Sequence, residues 1–362
     1  MNEPALKPPH PPAPIAWSDV LRKQAFEQWL GAVAPRHGLL ISSLRSASSD
    51  ASFRRYFRID GLAEKSFIVM DAPPALEDVR PFVSVAALLQ IAGLHGPRVL
   101  EQDCVQGFLL LTDLGARLYL NALQEAVALG ETKVADALMR DAITALVQWQ
   151  SRADSSNLPG YDDALLRREL ALFPDWCVVR ELGVTWSPEE QSQWQTACDL
   201  LVRSALAQPC VAVHRDYMPR NLMVCAPDAG NPGILDFQDA VRGPISYDVA
   251  SLLRDAFISW DEEQELDWAV RYWQAARQAR LPVPEDFGEF WRQLEWMGLQ
   301  RHLKVLGIFC RLKHRDGKPK YSEDLPRFFN YAHKVAARYN PLRPLARLIE
   351  PLMGAQRRDV YF

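Results

Sequence analysis

Three polar residues in a mostly apolar stretch constrain the fold of this chain more than any other feature of its 362 residues. Asp216 precedes Asn221 by five positions, and Asp236 follows between two apolar residues. Short apolar runs typical of β-strands bracket these side chains, at residues 209–213, 221–224 and 233–235. The sequence therefore predicts two carboxylates and one amide presented together from rigid strand ends.

These three side chains are the groups that phosphoryl transfer requires. A carboxylate accepts the proton of the attacking hydroxyl, and oxygen ligands suit Mg²⁺, which neutralises the charge of the phosphates. The spacing predicts Asp216 as the catalytic base and Asn221 and Asp236 as Mg²⁺ ligands. A lone His-Arg-Asp triplet would be an ordinary surface turn, but the coincidence of three elements favours a phosphotransfer site.

The catalytic motif also carries a family resemblance. It resembles the aminoglycoside phosphotransferase and choline kinase superfamily in residues 214–221, Leu235-Asp236-Phe237 and Tyr247-Asp248-Val249-Ala250. Longer segments are similar to bacterial anomeric sugar kinases of cell-wall recycling, at residues 49–58, 70–74, 234–240 and 300–309. The resemblance extends from about residue 24 to residue 339.

The resemblance implies an α+β, bilobal, protein-kinase-like fold. A nucleotide-binding lobe with a small antiparallel β-sheet and a helix is expected at residues 17–112, and a larger, mainly helical lobe at 113–362. The Pro-rich residues 1–16 are expected to form a flexible tail. ATP and Mg²⁺ are the implied cofactors, and the implied reaction phosphorylates N-acetylmuramate and N-acetylglucosamine at the C1 hydroxyl.

Two other functions stay open at this point. An aminoglycoside or amino-alcohol kinase would share every catalytic residue, and a catalytically silent nucleotide-binding protein would keep the fold. The role of Asp248 is also open, because the resemblance implies that it hydrogen-bonds the catalytic-loop backbone, whereas its position also fits a helix N-cap.

The pattern of apolar residues predicts the elements around this motif. Helices are predicted at residues 17–35, where Pro35 ends the first one, and at 75–92, 138–151 and 187–207. Strands are predicted at residues 39–45, 53–59, 66–71, 98–103 and 107–112.

The residues that would hold a nucleotide depart from the usual kinase pattern. Met70 occupies the position of the strand lysine, and the turn at residues 46–52 has no glycine. Small residues such as Ser48 and Ser49 still permit close backbone approach to phosphates. Arg54 and Arg55 are predicted phosphate clamps, because a guanidinium binds two oxygens. They alternate in direction along a strand, so one of them faces away, and a solvated strand face is the alternative.

A strand ending at Thr112 is predicted to lead from the small lobe into the large one. The backbone groups of Thr112 and Leu114 are the predicted partners of the adenine edge. A plain turn is the alternative.

Two segments are predicted to contact the acceptor. One is the acidic turn and helix that contains Glu169, and Gln238 and Asp239 are also expected on the acceptor side. The other is the helix at residues 296–313, in which Arg301, Lys304 or Arg311 would bind a substrate carboxylate. Its polar stripe, formed by Gln300, Lys304, Gly307 and Arg311, fits a solvated face equally well. Gly307 favours close approach of a ligand or another backbone, since an interior glycine weakens a helix.

Composition limits the partners of this chain. Acidic residues outnumber basic ones, 45 to 41, which gives no support to a nucleic-acid partner. Six cysteines without a C-x-x-C pair argue against zinc and against a disulfide framework, and favour a cytoplasmic location. No apolar run approaches membrane-spanning length. We expect a monomer that acts on a small amino sugar, with no nucleic-acid or membrane partner.

Overall fold

In the computed structural model, residues 15–17, 19–48, 53–62, 65–226 and 230–356 are described. They form two compact units. The first unit comprises the described residues up to Gln90 together with Gly96–Gly115, and the second comprises Ile91–His95 and the described residues from Ala116 onward.

The first unit consists of an antiparallel sheet and two helices in the part of it that is described. Its elements are α1 (Val20–His37), β1 (Arg45–Ser48), β2 (Arg55–Asp60), β3 (Ser66–Asp71), α2 (Arg80–Ile91), β4 (Val99–Asp103) and β5 (Phe108–Thr112). The strands lie in the order β1-β2-β3-β5-β4. The strand predicted at residues 66–71 is confirmed to the residue.

Helix α1 covers one face of this sheet. Its buried residues Phe26 and Leu30 belong to one apolar cluster with Phe57, Val69 and Leu110 of the strands. Because side chains alternate along a strand, Leu109 and Leu111 of β5 point to the opposite face, where they are buried as well. Burial of each large apolar side chain contributes about 1.5–3 kcal/mol. Burial on both faces explains why β5 has a continuous apolar sequence.

Two predictions at the start of this unit are wrong. Helix α1 does not end at Pro35 but continues to His37, because Pro35 removes a single amide donor in the last turn. The helix ends where Gly38 adopts a left-handed φ of 62° and its amide bonds to the Ala34 carbonyl oxygen. The strand predicted at residues 39–45 is a 3₁₀ turn at Ile41–Ser43, and β1 begins only at Arg45.

The second unit is mainly helical. Its helices are α3 (Tyr119–Leu129), α4 (Thr132–Arg152), α5 (Asp163–Leu172), a π-helix (Phe173–Glu181), α6 (Pro188–Leu206), α7 (Tyr247–Leu253), α8 (Glu262–Gln278), α9 (Phe287–His314), α10 (Leu325–Arg338) and α11 (Arg343–Gln356). Its short strands are β6 (Cys210–Val213), β7 (Leu222–Met223), β8 (Gly233–Ile234) and β9 (Val241–Pro244). The pairs β6–β9 and β7–β8 are antiparallel, so the predicted strands do bracket the catalytic loop.

The polar stripe of α9 is buried. Gln300 is fully buried and Lys304 is 8% exposed, so the alternative of a solvated face is wrong for this part of the helix. Gly307 packs against the end of α5, where an added Cβ would lie 2.3 Å from the backbone carbon of Leu172. The unexplained glycine thus marks the approach of another backbone.

We predict that Gly307→Ala destabilises the protein. A methyl group at this position would clash with the Leu172 backbone, which has no flexible end that can move away. The expected loss of unfolding free energy is about 1–3 kcal/mol in urea unfolding, although alanine is the better helix former. Gly298→Ala in the same helix is the control, since its Cβ would make only ordinary contacts at 3.6 Å. Equal stability of the two variants would contradict the close approach.

Candidate active site

The loop between β6 and β7 carries two of the predicted catalytic side chains. The Asn221 side chain folds back across the loop, and its Nδ2 donates to the Asp216 carbonyl oxygen at 2.9 Å. The Asn221 amide donates to the Met218 carbonyl oxygen at 2.8 Å, within a short 3₁₀ turn. These bonds fix the five-residue spacing between Asp216 and Asn221 as one compact turn.

Asp236 lies beside this loop, as the sequence predicts. It follows β8, whose pairing with β7 continues in a hydrogen bond from the Leu235 amide to the Asn221 carbonyl oxygen at 2.9 Å. The Asn221 Nδ2 lies 3.3 Å from Oδ2 of Asp236. Asp236 has a left-handed φ of 61°, which is uncommon for a residue with a side chain and is concentrated at functional sites.

The chemistry of this pair fits Mg²⁺. The exposed Asp236 carboxylate and the amide oxygen of Asn221 are hard oxygen ligands on adjacent side chains. The described ranges contain no group of three or more His, Cys, Asp or Glu side chains arranged around a metal ion. Mg²⁺ needs no such group, since it is usually held by one or two protein oxygens together with water and phosphate oxygens.

Asp248 holds the backbone of the catalytic loop. It is fully buried in the first turn of α7, and its two carboxylate oxygens accept the amides of His214 at 2.7 Å and Arg215 at 3.0 Å. Ser246 occupies the N-cap position, so the support role of Asp248 is confirmed and the capping alternative is wrong. Burial raises the pKa of Asp248 to about 7, against the opposing effect of these two donors.

His214 supports the same loop from inside. The ring is buried, and its Nδ1 accepts the Asp216 amide at 3.3 Å. Burial lowers the pKa of His214 to about 4, so the imidazole is neutral and can act as this acceptor. Tyr217, which follows Asp216, is also buried, and its hydroxyl donates to the Ala142 carbonyl oxygen on α4 at 2.8 Å.

Glu169 of α5 lies at the centre of a buried polar cluster. Its Oε1 accepts the Arg215 Nη2 at 2.7 Å and the Lys304 Nζ at 3.0 Å. Its Oε2 accepts the Tyr161 hydroxyl and, at 3.3 Å, the Gln300 side-chain amide. Glu169 is 5% exposed. Two of the predicted acceptor-side residues, Glu169 and Lys304, are therefore in contact with one another and with the catalytic loop.

The charges of this cluster are mutually compensating. Burial would by itself raise the pKa of Glu169, but Lys304 and Arg215 lower it to about 2. Burial would likewise lower the pKa of Lys304, but Tyr247 and Glu169 raise it above its usual value. The Lys304 amine also donates to the Tyr247 hydroxyl at 3.0 Å. We refer to Glu169, Arg215, Lys304, Tyr161, Tyr247 and Gln300 as the Glu169 cluster.

The other predicted acceptor-side residues differ in exposure. Gln238 is half-buried and donates to the Asp236 Oδ1 at 3.0 Å and to the exposed Asp239 at 3.4 Å. Arg301 is 3% exposed, and its Nη1 is buried without a partner. Burial raises the pKa of Asp248, and the charge of Arg301 opposes this effect.

Among the residues predicted to hold phosphates, Arg55 is paired with a carboxylate. Its Nε donates to the buried Asp71 Oδ2 at 2.9 Å, and Arg22 donates to the other oxygen of the same carboxylate at 2.9 and 2.5 Å. The Arg55 guanidinium also lies 3.8 Å from the centre of the Trp17 ring. Arg55 thus joins β2 to α1 and β3 within the first unit.

The remaining predicted phosphate contacts lie around the start of β2. The Arg54 guanidinium lies 3.8 Å from the Glu77 carboxylate. Ser48 ends β1 and pairs with Tyr56, whereas Ser49 lies outside the described residues. Met70 is fully buried in β3, where an apolar side chain suits the sheet interior.

The two predicted adenine contacts follow β5. The Thr112 amide donates to the Arg98 carbonyl oxygen at 3.0 Å, and its hydroxyl accepts the Arg98 amide at 2.9 Å. Leu114 is half-buried and follows Asp113, whose carboxylate accepts Arg58 and Ser66.

Sequence reasoning missed two members of the Glu169 cluster. Tyr161 lies in the turn and helix expected near the acceptor and Tyr247 in the family motif, but neither was named as a site residue. Their ring centres are 5.3 Å apart, and their hydroxyls bind the charged residues of the cluster. The i, i+4 spacing of Gln300 and Lys304 was the available signal, because two polar residues on one helix face can meet a common partner.

These features define a phosphotransferase with a protein-kinase-like catalytic loop. The APH family model, described as the phosphotransferase enzyme family, matches residues 43–290. The match spans more than half of the chain, so the chain belongs to this family, and the prediction of a kinase is confirmed.

Individual proteins resemble this chain more specifically than the family model does. The chain is 50% identical over 349 residues to the N-acetylmuramate/N-acetylglucosamine kinase of Pseudomonas aeruginosa, an alignment of 94% of this chain and 99% of the relative. An ethanolamine kinase of Plasmodium vivax superposes with a TM-score of 0.61 at 9% identity, over 86% of this chain and 87% of the other. The ADP-bound aminoglycoside phosphotransferase APH(2'')-Ib gives a TM-score of 0.53 at 15% identity, over 88% and 99%. The two structures confirm the predicted α+β, protein-kinase-like fold.

Across the described part of the chain, no helix has the length and apolar character needed to cross a bilayer.

We predict that His214 makes the protein less stable in mild acid. Because its pKa falls from 6.5 to about 4 on folding, only the unfolded chain takes up a proton between these values. The unfolding free energy should therefore fall as the pH is lowered through this window, by up to about 3 kcal/mol from this residue. Urea unfolding of wild type and His214→Gln measures the effect. The stability advantage of the wild type should shrink on acidification, and a constant difference would contradict a neutral buried imidazole.

Proposed function

We propose that this protein is a kinase that transfers the terminal phosphoryl group of ATP to the C1 hydroxyl of N-acetylmuramate and N-acetylglucosamine, in the recycling of cell-wall sugars. The observation that carries the proposal is the arrangement of Asp216, Asn221 and Asp236, which meet around one loop. The substrate follows from the 50% identical relative, whose name specifies these two sugars and whose length the match covers almost completely. ATP follows from the ADP bound to the aminoglycoside phosphotransferase of the same fold.

Asp216 is the group that meets the acceptor hydroxyl. Its carboxylate accepts the proton of the C1 hydroxyl as the C1 oxygen forms a bond to the terminal phosphorus of ATP, and the bond from that phosphorus to the bridging oxygen breaks to leave ADP. The fixed backbone of residues 214–217 orients the carboxylate, so little reorganisation accompanies the reaction. Asn221 and Asp236 would hold Mg²⁺, which neutralises phosphate charge when bound.

We assign the remaining nucleotide contacts to residues of the first unit and the remaining acceptor contacts to residues of the second. Arg54 and the backbone at Ser48 and Ser49 are the proposed phosphate contacts, and Arg55 is proposed to support them from its pair with Asp71. The backbone at Thr112 and Leu114 is proposed to bind adenine. These assignments are supported by the resemblance of the small unit to nucleotide-binding lobes.

Gln238 and Asp239 are the proposed acceptor-side neighbours of the metal ligands. The side-chain amide of Gln238 donates to the carboxylates of both Asp236 and Asp239, so it connects the proposed metal ligand to the proposed acceptor side. We also propose that the protein acts as a monomer in the cytoplasm, where a reducing environment suits its six free cysteines.

An aminoglycoside or amino-alcohol kinase is the second function that the fold supports. Cationic acceptors require a predominantly acidic site. Arg311 on α9 makes no ion pair within the described residues, which favours a neutral or anionic acceptor.

We predict that the product from N-acetylmuramate carries its phosphate at C1. Phosphorus NMR of the reaction product separates a C1 phosphate from a C6 phosphate, and a C6 product would contradict the assigned acceptor hydroxyl.

We predict that Asp216→Asn, which removes the general base, lowers kcat by about 10²–10⁴-fold in a steady-state assay.

The control for this substitution is Asp163→Asn, the same chemical change at a side chain that is 53% exposed on α5. Its kcat should match that of the wild type. Failure of the wild type to phosphorylate any amino sugar, aminoglycoside or amino alcohol, despite nucleotide binding, would favour a silent nucleotide-binding protein.

A substrate carboxylate needs a cation that is not already committed to the protein. Among the three predicted cations on α9, Lys304 is paired with Glu169, and Arg301 is buried near Asp248. Arg311 makes no ion pair within the described residues, and its Nε is buried without a partner. Burial and the charge of Arg315 lower the pKa of Arg311, so a carboxylate beside it would relieve an unfavourable charge. We propose Arg311 for the lactyl carboxylate of N-acetylmuramate.

We predict that Arg311→Ala raises the KM for N-acetylmuramate about tenfold, because hydrogen bonds to charged groups contribute about 1.5–3 kcal/mol. The KM for N-acetylglucosamine, which has no carboxylate, should stay within about twofold of the wild type. Arg315→Ala is the control on the same stretch of chain, since Arg315 already pairs with Asp316 at 2.7 Å. Equal losses on both sugars would rule out the carboxylate contact.

A further inference from the structure

We infer that Glu169 and Lys304 are positioning residues: Glu169 holds the Arg215 side chain, Lys304 holds Glu169, and together they keep the catalytic loop in place and the Asp216 carboxylate available to the acceptor. The inference deepens the proposed function and rests on it for its kinetic test. It gives these two residues a role that acts through Arg215 and not through contact with the sugar.

The first observation is the backbone of Arg215. Its φ of 76° lies in the left-handed region, which is unfavourable for a residue with a Cβ. Asp248 of α7 holds the Arg215 amide at 3.0 Å. Glu169 of α5 holds the guanidinium at 2.7 Å. The residue immediately before Asp216 is therefore fixed at both its backbone and its side chain.

The second observation is that Glu169 has no acceptor capacity left for a substrate. A carboxylate has about four lone-pair directions. Those of Glu169 are taken by Arg215 and Lys304 on one oxygen, and by Tyr161 and Gln300 on the other. With 5% of the residue exposed, a sugar hydroxyl would have to displace one of these donors.

The third observation is the balance of charge around Asp216. The charges of Arg215 and Lys304 act on two carboxylates, Glu169 and Asp216. Glu169 binds both cations directly. Without the Glu169 charge, Asp216 is the carboxylate left to attract them, and a base bound to a guanidinium or an amine is less available to accept a proton from the acceptor. Glu169 therefore competes with Asp216 for the two cations and binds both of them directly.

This charge balance predicts an asymmetry between two substitutions. Glu169→Gln leaves two cations beside Asp216 and removes the partner of Arg215. Lys304→Met leaves Glu169 and Arg215 as a balanced ion pair, so the loop keeps its main side-chain contact. The loss of Glu169 should be the more damaging of the two, because an unpaired buried charge costs more than a lost pair.

The test combines steady-state kinetics with amide hydrogen exchange. We expect Glu169→Gln to lower kcat about 10²-fold with both amino sugars while the sugar KM stays within about threefold, because misplacement of a catalytic group affects the reaction more than binding. Amides in residues 214–221 should exchange faster than in the wild type. Lys304→Met should show the same changes to a smaller degree, and Glu169→Asp, which keeps the charge, should recover part of the lost kcat.

Glu265→Gln is the matched control. Glu265 is another carboxylate of this unit, 4% exposed, and from α8 it pairs at 3.2 Å with Arg254, which lies at the opposite end of α7 from Asp248. Its substitution should lower the Tm and leave kcat and loop exchange unchanged. An effect of this control on the loop equal to that of Glu169→Gln would reduce the Glu169 role to general stability and overturn the inference.

Other outcomes also decide whether Glu169 positions the loop or binds the sugar. A raised sugar KM with unchanged kcat in Glu169→Gln would make Glu169 a sugar ligand and overturn the inference. Unchanged amide hydrogen exchange of residues 214–221 in Glu169→Gln would also overturn the inference. If the wild type phosphorylates no amino sugar, the proposed function fails, and the exchange measurement still decides whether Glu169 holds the loop. If Glu169→Gln does not fold, Glu169→Asp and Lys304→Met provide the same comparison.

Discussion

The catalytic centre depends on the hydrogen bonds between the buried Asp248 carboxylate and the amides of His214 and Arg215. Backbone amides in a loop need partners once they are removed from water, and strand pairing stops at the end of β6. Asp248 provides these partners from the first turn of α7. The left-handed residue Arg215 is thereby tolerated, and the backbone that leads into Asp216 is fixed.

The other contacts around the loop add to this one. The Tyr217 hydroxyl binds α4, the Asn221 side chain closes the turn, and Glu169 holds the Arg215 side chain from α5. Two of these contacts come from different helices, α4 and α5, so the position of the proposed catalytic carboxylate is set by the packing of several helices. A rigid arrangement of this kind places reacting groups before the substrate arrives, which is the main contribution that a protein can make to phosphoryl transfer.

Contacts between residues close in the sequence could be predicted at this site, whereas contacts between residues on different helices could not. Asp216, Asn221 and Asp236 were predictable because their spacing reflects one turn and one strand pair. The contact of Glu169 with Lys304 joins residues on two helices, and helical periodicity alone cannot tell whether a polar stripe meets water or another helix. Besides the spacing of Gln300 and Lys304, Gly307 gave a hint that this face is buried, since a helix-interior glycine has a cost that close packing against Leu172 explains.

The two element boundaries that were predicted wrongly, at the end of α1 and the start of β1, also have local causes. The end of α1 was placed at Pro35, although the conformation of Gly38 decides it, and the strand expected at residues 39–45 began only at Arg45. Neither error affected the site, because the catalytic residues depend on β6 to β9 and on the helices behind them.

Fold and substrate have different support in this protein. The kinase-like fold is shared with an ethanolamine kinase and an aminoglycoside phosphotransferase at very low identity, so the fold alone does not choose an acceptor. The choice rests on the side chains near Asp216 and on the likeness to an amino-sugar kinase over almost the whole chain. A crystal structure with N-acetylmuramate, Mg²⁺ and a non-hydrolysable ATP analogue tests this choice most directly. The account predicts the C1 hydroxyl about 2.6–3.2 Å from the Asp216 carboxylate, with Asn221 and Asp236 on the metal. A sugar that presents its C6 hydroxyl to Asp216, or that binds away from this loop, would contradict it.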